Sequence, residues 1–216
     1  MVAKRTNDEF VSLICALFAY GKASSIVKFL DSLDFDILDQ DETTICKSLE
    51  KKYYRFQNTK DIQTLFIVLS NMKKTLSLNK LFIQNFRETN DIINSIQCLI
   101  KIIYSHTTYN SRGFKFLIGS TDSKTAPYKR WNLYLRWMVR YDNLDMGLWS
   151  GLDKKHLLVP LDTHTYNIGK KLNLIKSKSY NQKAVYELTN SLRKYDIYDP
   201  IKYDFILYRI GQEGFV

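Results

Sequence analysis

This chain is poor in the residues that interrupt helices: its 216 residues include only 8 glycines and 3 prolines. Apolar residues meanwhile recur three and four positions apart, as at Phe10, Leu13, Ile14, Leu17 and Phe18. Few breakers and helical periodicity together predict an all-α fold. The spacing predicts helices over residues 7–20, 24–33, 41–54, 59–72, 77–89, 91–104, 128–140, 163–172, 182–195 and 200–210. Asn7 or Asp8 is available to cap the first, Gly21 ends it, and Thr59 opens the fourth. Residues 105–124 form the one long polar stretch and read as a loop with a short extended piece at 114–118; residues 141–156 read as an irregular connector. No repeat, low-complexity tract or linker rich in Pro, Gly or Ser divides the chain. Residues 1–216 therefore read as one unit of two helical lobes, an inner segment (about 35–130) and the N- and C-terminal segments together.

The composition, 45% hydrophobic and 25% charged, is that of a globular protein. Lys and Arg number 32 against 22 Asp and Glu, a formal net charge of +10. A surplus of this size points to a polyanionic partner, or more blandly to a lysine-rich surface with the charge spread evenly. Cys15, Cys46 and Cys98 lie far apart in or beside apolar stretches, with no zinc or iron–sulfur spacing. They read as reduced, buried thiols, and no metal or other cofactor is expected. The N-terminal residues lack the apolar core of a signal peptide, and no apolar run is long enough to span a bilayer, so a soluble intracellular protein is expected.

Two segments carry the chemistry. In residues 128–140, Lys129, Asn132, Arg136 and Arg140 follow one another at three, four and four positions and share one helical face. Trp131, Leu135 and Met138 share the apolar face. The polar face reads as a basic surface for phosphates or as an ordinary solvated face. Lys129 differs by standing in the first turn, where the helix dipole disfavours a cation and so favours the free amine that a lysine nucleophile needs. In residues 159–174, Pro160 stiffens the approach and Asp162 or Thr163 can cap the next helix. Asp162 thus reads as a plain cap, or as a rigid carboxylate facing a cleft. His164 reads as a structural contact, one turn before Ile168.

At these residues the chain resembles the helix-hairpin-helix/Gly-Pro-Asp superfamily of DNA glycosylases. Pro160-Leu161-Asp162-Thr163-His164 and Lys170-Lys171-Leu172 fit its aspartate turn and following helix, and Lys129 before the apolar helix fits its lysine. Ala19-Tyr20-Gly21-Lys22 fits the turn of the first helix pair that faces DNA. More narrowly, AYGK, YYRF, KRWNLYLRWMVR, GLW, PLDTHT and DPIKYDF look like a bacterial family of largely uncharacterised members within that superfamily. The chain is also similar to archaeal 8-oxoguanine DNA glycosylases in the 33 positions between Lys129 and Asp162, and in an acidic and an aromatic residue one turn apart near the C-terminus, here Asp204 and Tyr208. It departs from the superfamily in three ways. The hairpin before the lysine, residues 119–128 (GSTDSKTAPY), lacks the second glycine; the iron–sulfur cysteines are absent; and Tyr208 replaces the archaeal tryptophan.

The resemblance implies a two-lobed glycosylase fold with a modified hairpin and no cofactor. It implies a monomer acting on double-stranded DNA with a damaged base, in the cytoplasm at the bacterial nucleoid. The expected activity is base excision with abasic-site lyase chemistry, 8-oxoguanine being the favoured lesion. Lys129 is the expected nucleophile and Asp162 its activator. Asp204, Tyr208, Trp149 and Pro160 are expected at the base, and Lys22, Tyr20, Arg136 and Arg140 on the DNA. The competing expectation is a non-catalytic nucleic-acid-binding helical module on the same scaffold.

Overall fold

The computed structural model describes residues 2–213, and among them every regular element is a helix. The chain divides into two compact units, Met1–Asp122 and Ser123–Val216.

The first unit holds seven α-helices: α1 (Glu9–Leu17), α2 (Ala23–Asp31), α3 (Glu42–Ser48), α4 (Thr59–Lys73), α5 (Leu78–Thr89), α6 (Ile92–Ser105) and α7 (Arg112–Ile118). Most begin on a side-chain cap that the sequence supplies: Asp8, Asp41, Ser77, Asp91 and Ser111 each accept a backbone N–H of the first turn. Helix α4 is opened by Asn58 rather than Thr59, in a reciprocal capping box with Asp61. Helix α1 is buried along nearly its whole length, so its apolar character is that of a core helix rather than of an amphipathic one. The Glu9 carboxylate accepts the amides of Leu78 and Asn79, and Asp8 pairs with Lys73. These contacts fasten the N-terminal segment to α4 and α5 inside the first unit.

Residues 114–118 are not extended. They lie in α7, where the Ser111 hydroxyl accepts the Phe114 amide and Phe114, Leu117 and Ile118 bury one face. Helix α3 is shorter than its apolar spacing suggests and ends at Ser48.

The second unit holds α8 (Lys129–Val139), α9 (Thr163–Lys171), α10 (Gln182–Arg193) and α11 (Asp204–Glu213). Helices α9 and α11 pack together. Gly211 allows their approach, since a Cβ there would meet the His164 carbonyl oxygen at 2.9 Å. The irregular stretch after α8 caps it: the Met146 and Gly147 amides donate to the Trp137 carbonyl and the Trp149 amide to that of Met138. Gly147 holds φ +62, and a Cβ there would meet Tyr141 at 2.8 Å. The GLW sequence is thus a helix-ending device. No described helix is long and apolar enough to cross a membrane. None of the three cysteines forms a disulfide; Cys15 is buried, its thiol pushed up to about 12 by burial, whereas Cys46 and Cys98 are only half-buried.

Candidate active site at the start of helix α8

Lys129 and Asp162 meet. The lysine is the first residue of α8, which follows Tyr128 in the left-handed region (φ 46). The aspartate stands directly before α9, at the end of a tightly held strap. The Val159 amide donates to the buried Thr189 hydroxyl, and the Leu161 amide donates to the Val159 carbonyl at 2.7 Å around buried Pro160. The Leu161 carbonyl accepts the Tyr180 hydroxyl at 2.6 Å. Burial pushes that phenol up to about 12, with Asp162 adding to the rise. Asp162 then divides its carboxylate between two tasks. Oδ1 accepts the Thr165 amide at 2.8 Å and caps α9, while Oδ2 lies 3.8 Å from Lys129 Nζ. The side chains remain 32% and 15% exposed, respectively, so the pair is accessible from solvent.

Asp204, the first residue of α11, shares this electrostatic neighbourhood. Burial pushes its carboxyl up to about 6; Asp162 raises it further, while Arg136 and Lys129 oppose the rise. Tyr208 stands one turn on and meets the His164 ring edge-on at 5.8 Å. The partner of His164 is thus Tyr208 on α11 rather than Ile168 one turn on, which its spacing suggests. Pro160 is part of the strap. Trp149 is buried edge-on against Tyr134 at 5.3 Å, on the core side of α8, so it serves packing rather than an open base-stacking surface.

The same stripe of α8 has a different fate further along. Arg136 and Arg140 do not form a solvated basic face: they are 5% and 7% exposed and are held by carboxylates. The Arg136 Nε donates to both oxygens of Asp145 at 3.1 Å, and its NH1 donates to Asp204 at 2.5 Å. Arg140 donates to Asp199 through Nε at 3.0 Å and NH2 at 3.1 Å, and through NH1 to Asp142 at 2.8 Å and to Asp145. Burial works against the Arg140 cation, but Asp199, Asp145 and Asp142 outweigh it and hold the guanidinium above its ordinary range. Burial raises Asp145 despite both arginines. With their donors engaged inside the protein, these two arginines are unsuited to DNA phosphates, and the expectation that placed them there is corrected.

Residues 1–213 match the model of a family described as a protein of unknown function, DUF2400. The chain belongs to this family. No curated protein and no solved structure matches it.

Tyr20 and Lys22 lie in the first unit. Lys22 is exposed directly before α2, and Tyr20 belongs to an aromatic cluster with Phe56 and Phe116. In residues 119–128, the segment equivalent to the expected hairpin, the amides are engaged locally. Ser120 accepts the Asp122 amide, and Ser123 accepts those of Thr125 and Ala126. Serine hydroxyls thus occupy amides that a glycine-rich hairpin would offer to a phosphate. Among the described residues, no group of three or more His, Cys, Asp or Glu side chains is arranged to hold a metal ion. Sequence reasoning missed Asp142, Asp145 and Asp199, the partners of the arginines, and Tyr180, which orders the strap. Two arginines one turn apart in a stretch, residues 133–140, that is otherwise apolar were the available signal, because buried cations require buried partners.

Proposed function

We infer that this protein is a base-excision-repair DNA glycosylase with abasic-site lyase activity. One observation carries the reading: an amine at the start of α8, partly open to solvent, stands 3.8 Å from a carboxylate whose other oxygen is fixed by capping α9. A lysine nucleophile must lose a proton before it attacks, and a rigid carboxylate beside it can receive that proton. The fold that goes with this reading is a two-lobed helix-hairpin-helix scaffold with a remodelled hairpin, with a cleft that receives a nucleotide flipped from the duplex.

The chemistry then runs as follows. Lys129 Nζ bonds to C1′ of the flipped nucleotide while the bond from C1′ to the base breaks. The base leaves with the electron pair and is protonated. Asp162 acts in one of two ways: it takes the lysine proton, or it stays ionised and offsets positive charge developing on the sugar. The sugar opens to an imine on Lys129, the C2′ proton is lost, and the C3′–O bond breaks with the 3′ phosphate as leaving group. Tyr208 and the Asp204 carboxylate oxygen that Arg136 does not hold are the proposed lesion-facing groups. A carboxyl shifted to about 6 accepts a hydrogen bond from a base edge when ionised and donates one when protonated. An oxidised purine, 8-oxoguanine first, is the proposed lesion.

Borohydride trapping tests this on duplexes carrying 8-oxoguanine, thymine glycol, uracil or a plain abasic site. The expected result is a covalent adduct on 8-oxoguanine that Lys129→Gln abolishes. An adduct on the abasic site alone would keep the lyase chemistry and reject the lesion. No adduct on any duplex would reject the reading.

The cap on α9 favours a second reading, in which Lys129 and Asp162 form a structural ion pair on a non-catalytic nucleic-acid-binding scaffold. Asp162→Asn separates the two, because asparagine caps a helix as well as aspartate does. Lost turnover with retained folding and DNA binding supports the enzyme; lost folding supports the structural pair.

A further inference from the structure

The first unit carries a second feature that the lysine–aspartate site does not use. Residues 54–57 form a tight turn closed by reciprocal backbone bonds between Tyr54 and Gln57, at 3.0 and 2.9 Å. Its second residue, Arg55, holds φ +52, a left-handed conformation uncommon for a non-glycine residue. Such a conformation persists where the surroundings impose it, and here they do. The Gln57 Nε2 donates to the Gly113 carbonyl at 2.9 Å, its Oε1 accepts the Tyr20 hydroxyl, and the Tyr54 hydroxyl donates to the Tyr20 carbonyl at 2.6 Å. Behind the turn, buried Asp61 accepts the Ser111 and Tyr109 hydroxyls and the Asn58 amide. Gly113 lets α7 lie against the turn, since a Cβ there would meet the Phe56 carbonyl at 2.6 Å.

This framework presents aromatic rings at the surface. Phe56 is 60% exposed and Phe116 is 44% exposed. The Phe56 ring lies parallel to that of Tyr20 (3°, centroids 6.2 Å apart), and Phe116 meets both edge-on at 5.1 Å. The Arg55 guanidinium sits over the Phe56 and Tyr20 rings at 5.4 and 5.7 Å. The segments that build the platform, residues 19–24, 51–57 and 111–116, contain six Lys or Arg and no Asp or Glu. Of these, all but Lys52 are exposed.

We propose that this turn is a platform for unpaired bases of a DNA strand. Bases stack on Phe56 and Phe116, and the surrounding cations take the adjoining phosphates. The charge fits one occupant: exposed rings on a turn whose segments carry six cations and no acidic residue suit a polyanion that carries flat apolar groups. An aliphatic protein surface offers neither property. The platform gives the proposed glycosylase a contact for unpaired strand, and it rests on that reading only for DNA being the partner.

The experiment is fluorescence anisotropy with the full chain, using a labelled single-stranded oligo-dT and a strand of tetrahydrofuran abasic analogues, which form no imine, with the same number of phosphates. The wild type is expected to bind oligo-dT at least about fivefold more tightly than the abasic strand, the lower end of what stacking one base contributes. Phe56→Ala/Phe116→Ala, with folding confirmed by circular dichroism, is expected to bring oligo-dT down to the abasic level. Phe56→Trp is expected to keep the preference. Equal binding of the two strands by the wild type, or an unchanged preference in the double alanine variant, would overturn the platform. Failed trapping with this preference intact would reject the glycosylase and leave the platform standing; trapping without the preference would do the reverse.

Discussion

Lys129 and Arg140 stand at the two ends of α8 on the face that the sequence makes polar, yet they live in different environments. Lys129 has one carboxylate at 3.8 Å and stays 32% exposed. Arg140 is closed in by Asp142, Asp145 and Asp199, and Arg136 between them is held by Asp145 and Asp204. The second arrangement fastens the loop after α8 and the start of α11 to the helix. The first leaves an amine where a solute can reach it. A stripe of like charges therefore says little about function until the partner of each charge is known. The two ends also share a member: Asp204 binds Arg136 and is sensed by Lys129 and Asp162, so the structural cluster borders the reactive pair.

Mutations at the two ends should differ accordingly. Arg140→Ala takes from buried Asp199 and Asp145 their shared arginine, leaving Lys154 beside Asp199 and Arg136 on Asp145, and a loss of about 3 kcal/mol in urea unfolding is expected, a large fraction of a domain's stability. A loss below about 1 kcal/mol would mean that the cluster is as weak as a surface pair.

Asp204 gives a pH signature. Its folded value, about 6, lies above the ordinary 3.8, so the folded state binds its proton more tightly than the unfolded chain does. Its contribution to stability is fully present below about pH 4 and is lost as pH rises through about 6. Asp204→Asn should remove that dependence, flattening the stability profile between those values by at most about 3 kcal/mol. An unchanged profile would show that Arg136 keeps the carboxylate ionised throughout.

A smaller effect is expected at the strap. Asp162→Ala should cost about 1 kcal/mol through the lost α9 cap, and Asp162→Asn should restore most of it. Both should abolish imine trapping, which would separate the cap from the chemistry at one residue. Smallest in stability is Lys129→Gln, expected within about 1 kcal/mol of the wild type because its pair is partly solvated, while trapping is lost entirely. A destabilisation matching that of Arg140→Ala would erase the distinction between the two ends of α8.

Much of the scaffold was readable from local signals. Asp8, Ser77, Asp91 and Asp162 each cap the helix that follows, because a cap is settled within three or four residues. The missed helix, α7, is short and polar-flanked, and the Ser111 cap and the Phe114, Leu117, Ile118 spacing that form it fall within one turn or two. Of the candidate site, Lys129 and Asp162 were found through their positions at helix starts, while Arg136, Arg140 and Trp149 were assigned to surfaces they do not occupy. Their partners explain why. Asp204 lies 68 positions from Arg136, and Asp199 lies 59 from Arg140. The aromatic turn is likewise built from residues 20, 56 and 116.

By itself the sequence determined an all-helical chain, most of its helix starts, and an amine and a carboxylate each placed at a helix entrance. These follow from periodicity and capping, interactions that span a turn or two. Only the tertiary structure decided which cations are buried and which are open, that Asp162 turns one oxygen to α9 and the other to Lys129, and that three distant aromatics share one surface. Burial and charge pairing depend on what the fold brings alongside from elsewhere in the chain, and no local pattern encodes that.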